Sequence, residues 1–257
     1  MIGFFIKKSF FDGWDNLLTM IGVNLGAILI LAAAYGAIAL GLPDAVTMVL
    51  LLAVVFLYSI YATITARFAY SVSAYSKASV GEMFHAIREH FSHLFVFFLL
   101  NAFIFLACFF IMPFYFSMGN MVGLVLCVLI FWATVIAALA QVYYLPLAFY
   151  MDEDKALKTL KKCLLVVGDN LPFTLFLALY NLINLVISVL LAFLMPSYSG
   201  IMIGQMNATR LLLLKYDYIE AHPGVKKKDI IWEDLLYEEK ERVGKRSLKG
   251  MIFPWKD

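Results

Sequence analysis

The sequence predicts an all-α membrane protein. It reads as six transmembrane helices arranged as three parallel hairpin repeats, with amphipathic cytoplasmic helices between them. Three observations predict this. Apolar residues make up 63% of 257 and charged ones only 15%, with a mean hydropathy of +0.88; soluble domains carry far more charge. The apolar residues gather into six long runs separated by polar segments. Landmarks also recur 77 residues apart: Asn16-Leu17, His93-Leu94 and Asn170-Leu171 each stand where a polar segment turns apolar.

The six runs cover residues 17–40, 45–66, 94–117, 121–148, 171–195 and 199–214. A hydrocarbon core of about 30 Å needs about 20 apolar residues per helix. The runs are continuous rather than alternating, which favours helices over a barrel.

Charge placement gives the orientation. Lys7 and Lys8 precede the first run; Arg67, Lys77 and Arg88 lie between the second and third. Lys155, Lys158, Lys161 and Lys162 lie between the fourth and fifth, and ten more basic residues, from Lys215 to Lys256, follow the sixth. The opposite loops hold no Lys or Arg, and Asp44 is their charge. The positive-inside rule then places both termini and the two longer loops in the cytoplasm of a bacterial cell, with the spans in its cytoplasmic (inner) membrane. No secretory signal is visible. Cys108 and Cys127 fall inside spans and Cys163 in the cytoplasm, so no disulfide is expected.

Each repeat reads as an amphipathic segment, a span out, a tight turn and a span back. The units are approximately 1–77, 78–154 and 155–216, and a cytoplasmic tail covers 217–257. Asn24 and Asn101 match between copies, whereas Ala178 breaks the third; Gly123 and Gly200 open the second spans of copies two and three. Ile6, Met83 and Leu160 correspond, as do Phe10, Ile87 and Leu164, each pair four residues apart on one helical face. Lys7 matches Lys161 and Lys8 matches Lys162. Such segments either lie in the headgroup layer as a cytoplasmic collar or serve as plain connectors. Equal orientation of the hairpins makes the repeats parallel, about an axis along the membrane normal.

The run from Gly13 to Gly22, GWDNLLTMIG, resembles the opening of the YesL family of bacterial membrane proteins. Phe84 to Phe91, FHAIREHF, resembles that family's amphipathic stretch before its third span. Lys158-Thr159-Leu160-Lys161-Lys162 with Gly168-Asp169-Asn170-Leu171-Pro172 resembles the next unit. The resemblance covers most of the membrane region but not the tail. It implies a bacterial cytoplasmic-membrane protein, often encoded near carbohydrate-uptake genes, and supplies no catalytic or binding residue.

Arg210 is the sharpest candidate. It lies in the sixth run, in Gln205-Met206-Asn207-Ala208-Thr209-Arg210, and an ionisable group within a span is a functional-site candidate. It either takes part in a polar site with Asn207 and Gln205 or snorkels to headgroups from near the cytoplasmic end. The expected acid partners are Asp15, Asp169 or Asp217. Asn24, Asn101, Asn181, Asn184 and Gln141 also lie within apolar runs; they tie helices together or surround a polar path. Gly22 and Gly26, Gly119 and Gly123, and Gly200 and Gly204 have the spacing of close helix contacts.

His85, Glu89 and His93 recur every four residues, so on a helix they share a face and could bind a divalent metal, with His90 nearby; the order is not that of the zinc proteases, and an interfacial helix commonly carries His and Glu as its wet face. In the tail, Ile231, Leu235 and Leu236 give an apolar stripe, and Gly250 to Trp255 is apolar and aromatic. Exposed apolar surface of this kind is expected to pack on the protein's own collar, on lipid or on a partner.

No phosphate loop, dinucleotide fingerprint or catalytic triad is present, so no enzyme activity, cofactor or nucleic-acid partner is expected. Two functions remain. One is a non-enzymatic accessory or scaffold protein of a transport or envelope system, with the lipid bilayer and a transporter or other membrane protein as partners. The other is a small-solute transporter with its polar site near the sixth span. A continuous polar cavity would favour transport; a solid bundle would favour the accessory role.

Overall fold

The computed structural model describes residues 1–225 and 227–246. The chain opens with α1 (Ile2–Asp15), α2 (Leu17–Ala39) and α3 (Asp44–Ser73). A second group follows: α4 (Val80–Glu89), then α5 (Phe91–Leu106), which runs through a π-helical turn at Ala107–Ile111 into α6 (Met112–Ser117), then α7 (Met121–Tyr150). The third comprises α8 (Ala156–Asp169), α9 (Leu171–Leu190) and α10 (Ser197–Ala221). A 3-10 turn (Lys227–Asp229) and the short helices α11 (Trp232–Leu235) and α12 (Tyr237–Val243) complete the described chain, which contains no strand among those residues.

Among the described residues, five helical stretches are long and apolar enough to cross a membrane: Leu17–Ala39, Asp44–Ser73, Phe91–Ser117, Met121–Tyr150 and Leu171–Leu190. The sixth expected span is helical, as α10, but does not meet that standard. The reason is its position. α10 packs against α1, α2, α3, α7 and α9, and buries Asn207, Thr209 and Lys215 along with its apolar residues. A helix whose surface meets protein does not need a lipophilic surface all round.

The order of amphipathic helix, helix and returning helix occurs three times. The amphipathic helices break into the next helix at Asn16, His90 and Asn170, with φ of −113°, −105° and −131°. Two of these breaks are where the 77-residue spacing put them. The second comes earlier, because α4 has 10 residues where α1 and α8 have 14, so His93 lies inside α5. Asparagine suits the other two breaks: Asn16 Nδ2 donates to the Asp12 carbonyl at 2.9 Å, and Asn170 Nδ2 to the Val166 carbonyl at 3.0 Å. The first serves a carbonyl freed by the interruption, because the Asn16 amide turns to Gly13; the second adds to the bond that the Asn170 amide already makes to Val166.

Ile2, Ile6 and Trp14, spaced for one helical face, are exposed, while Lys8, Ser9 and Asp12 are buried. Lys8 is fully enclosed, because its polar partners, Asp12 and the Ser73 carbonyl, lie in the protein core.

The turn at 191–196 joins α9 to α10 and meets the sides of α2 and α3, not their far ends. Asn24 Nδ2 donates to the carbonyls of Leu194 at 2.9 Å and Pro196 at 3.2 Å, and its Oδ1 accepts from Ser199 N at 3.1 Å. Tyr198 rests on the rings of Tyr58 and Tyr61, at centroid distances of 5.4 and 5.5 Å. From Asn24 to the end of α2 there is roughly 22 Å more helix at 1.5 Å per residue. The glycine spacings also find their use here. A Cβ at Gly26 would meet ring carbons of Tyr61 at 2.7 and 2.8 Å, and one at Gly204 would meet Tyr180 at 2.7 Å. These glycines admit a neighbouring ring, whereas Gly22 faces nothing within 4 Å.

Candidate functional site

A buried polar cluster forms where α1, the ends of α3 and α7, the middle of α10, and α12 meet. Asn207 is its hub. Its Nδ2 donates to Asp12 Oδ2 at 2.8 Å and to Ser9 Oγ at 3.3 Å, and its Oδ1 accepts from Ser73 Oγ at 2.8 Å. Tyr150 Oη lies 2.8 Å from Ser73 Oγ and supplies the donor there, since the serine proton is already directed to Asn207. Lys8 Nζ donates to Asp12 Oδ2 at 3.0 Å and to the Ser73 carbonyl at 3.3 Å.

Tyr75 links this half to the next. It follows the end of α3 with φ of +59°, a left-handed conformation that non-glycine residues adopt at a cost. That turn lays its ring 3.8 Å from Lys8 Nζ and lets its hydroxyl donate to Glu239 Oε2 at 2.7 Å. Arg210 donates from Nε and Nη2 to Glu239 Oε1, at 2.9 and 2.6 Å.

The cluster thus contains two cations and two anions in close pairs. Burial pushes the Lys8 ammonium down and the Asp12 carboxyl up, and each opposes the other's shift. Burial, then the Glu239 carboxylate, pushes the Tyr75 phenol far above its ordinary value. Charges in such a place persist only when paired and hydrogen-bonded. Here the donors and acceptors serve one another, and their bonds tie α1, α3, α7, α10 and α12 together.

The expected acid partners of Arg210 are corrected. Asp15 pairs with Arg246 at 2.8 Å; Asp169 pairs with Lys227 and, at 3.5 Å, with Lys215; Glu239 from the tail takes Arg210. Asn207 is one turn from Arg210 in the same cluster, but Gln205, half-buried, joins none of its hydrogen bonds. Asn24 is occupied at the 191–196 turn. Asn101 accepts from Gln141 Nε2 at 2.6 Å, tying α5 to α7. The five candidates therefore do not converge on one cavity.

The metal reading is corrected too. His85 and Glu89 lie 3.5 Å apart on α4, both exposed, but the break at His90 turns His93 into the core, where its Nε2 lies 3.2 Å from Thr159 Oγ1. Among the described residues no three or more His, Cys, Asp or Glu are grouped to hold a metal.

Sequence reasoning missed Lys8, Asp12, Ser73, Tyr75, Tyr150 and Glu239. Lys8 and Asp12 stand four apart, which was a usable signal. Glu239 sits in a charged run that looks solvated, and nothing local marks Tyr75. Repeat-matched lysines also diverge: Lys8 is sealed in the cluster, whereas Lys162 reaches Asp154.

The tail lies on the membrane domain. Besides Glu239 and Arg246, the Gly244 carbonyl accepts from Lys7 at 2.9 Å, and Leu236 and Val243 are buried. The apolar stretch 250–255 lies outside the described residues. Comparison of the chain with protein-family models, curated proteins and solved structures gives no match. The likeness to YesL proteins thus rests on the motifs alone.

Proposed function

We propose that this chain is a non-enzymatic accessory or scaffold protein of the bacterial cytoplasmic membrane, serving a transport or envelope system. In this reading its three helix pairs enter from the cytoplasm and return, leaving both termini and the charged tail inside. The supporting observation is the cluster around Asn207, whose polar groups are consumed by one another and closed over by Glu239 of the tail. The grooves between α3 and α5 and between α1 and α9 are lined chiefly by carbon, and the more polar one beside Asp15, Asn16 and Lys77 lies at the helix ends, apart from Arg210 and Asn207. A transporter needs polar groups free to exchange partners with a solute, and Arg210, its best candidate, is already held. The YesL-like motifs point the same way.

Purification in mild detergent followed by mass spectrometry tests the proposal. The expected result is a membrane protein recovered in fixed proportion with this chain. Reconstituted vesicles that accumulate a solute faster than empty ones, with no co-purifying protein, would overturn it.

A further inference from the structure

We propose that the groove between the N-terminal part of α1 and α12 binds the phosphate of an anionic phospholipid headgroup. The groove has a volume of about 800 Å³. Lys7, Lys240 and Lys245 line it over a floor of Gly3, Phe4 and Tyr237. Lys7 donates to the Gly244 carbonyl at 2.9 Å, which fixes its ammonium at the groove and leaves two protons to share. Lys240 and Lys245 are exposed and form no ion pair among the described residues. One carboxylate, Glu241, also lines the groove, and the Tyr237 hydroxyl donates to it at 2.8 Å. Three cations against one anion, already engaged, make an excess of positive charge beside a partly apolar floor.

The neighbouring surface selects the source of the anion. Ile2 and Ile6, 44% and 41% exposed, adjoin Gly3 and Lys7 in the chain and continue toward exposed Trp14. Water does not favour such a stripe, whereas acyl chains cover it. A lipid whose chains lie on this stripe has its phosphate at the level of the lysines. Free phosphate would satisfy the charge and leave the stripe bare. Juxtamembrane lysines each contribute about 1 kcal/mol to anionic-lipid attraction.

The test uses the full chain in detergent, titrated with phosphatidylglycerol or phosphatidylcholine and read by native mass spectrometry. Wild type is expected to retain phosphatidylglycerol in preference to phosphatidylcholine. Lys7→Gln/Lys240→Gln/Lys245→Gln is expected to weaken phosphatidylglycerol about a hundredfold. Lys155→Gln/Lys158→Gln/Lys161→Gln removes the same charge around α8 and should change nothing. Lys240→Gln/Lys245→Gln leaves the Lys7–Gly244 bond intact and should lose about thirtyfold, which keeps the test open if the triple variant folds poorly. Equal losses in the two triple variants, no loss in the groove variants, or equal retention of the two lipids would each overturn the proposal. Displacement of the lipid by sodium phosphate at the lipid's own concentration would show a site for phosphate rather than for lipid, and would overturn it as well.

Discussion

Arg210 and Glu239 are joined through a single oxygen: Nε and Nη2 of the guanidinium both donate to Oε1, while Oε2 accepts from Tyr75. The carboxylate side chain is 7% exposed and the guanidinium side chain 21%. This pair fastens the tail to the membrane domain. Glu239→Gln or Arg210→Leu leaves the remaining charge without its counter-ion. Each is expected to cost about 2–3 kcal/mol, below the full loss for a dry pair because water still reaches the arginine. The double variant Arg210→Leu/Glu239→Leu should cost less than the two single changes together. Thermal unfolding in detergent measures this; single variants as stable as wild type would show that the pair contributes nothing.

Asn24 serves the Leu194 and Pro196 carbonyls of the 191–196 turn and the Ser199 amide in the first turn of α10, where hydrocarbon offers no hydrogen-bonding partner. Asn24→Leu should therefore destabilise by about 2 kcal/mol. The same contact places the turn beside the middle of α2. In a background without Cys108, Cys127 and Cys163, Leu42→Cys should react with a membrane-impermeant maleimide added outside, and Phe193→Cys should not. Equal labelling of both would put the turn at the outer aqueous face.

Gly26 leaves room for the Tyr61 ring. Gly26→Ala puts a methyl group within 2.7 Å of that ring and is expected to cost about 1–3 kcal/mol. Gly22→Ala, one turn away and facing nothing within 4 Å, should be neutral or stabilising by up to about 1 kcal/mol. If the two substitutions have the same effect, ring accommodation is not what Gly26 provides.

Asp169 gives the fold a pH dependence. Lys227 above all holds its carboxyl below the usual carboxylate range; burial opposes this, and Tyr216 and Lys215 add to the lowering. A carboxylate with a depressed folded-state pKa binds its proton more weakly when folded. Its stabilisation is fully present above the ordinary value of about 4 and is lost as pH falls through the folded value. Proteolysis between α10 and α11 should accelerate on acidification below about pH 4 in wild type. In Asp169→Asn it should already be fast at neutral pH and change less on acidification. A pH response retained in full by that variant would assign it to another group.

The sequence alone determined the class of fold, the five apolar spans and the helical character of the sixth run, because hydrophobic length and periodicity are local properties. It also placed the breaks at Asn16 and Asn170, where an amide can cap the helix it interrupts. It could not determine which side chain meets which. Asn207 finds Asp12 across 195 positions and Arg210 finds Glu239 across 29, from a run that reads as solvated. The short α4 shifted His93 out of register with His85 and Glu89, an effect of one local break on everything after it. Only tertiary packing decided that α10 is enclosed by other helices, that Lys8 is buried, and that the third turn stops against Asn24. Polar partners are chosen by the distances that helix packing leaves between them, and hydropathy along one chain does not contain those distances.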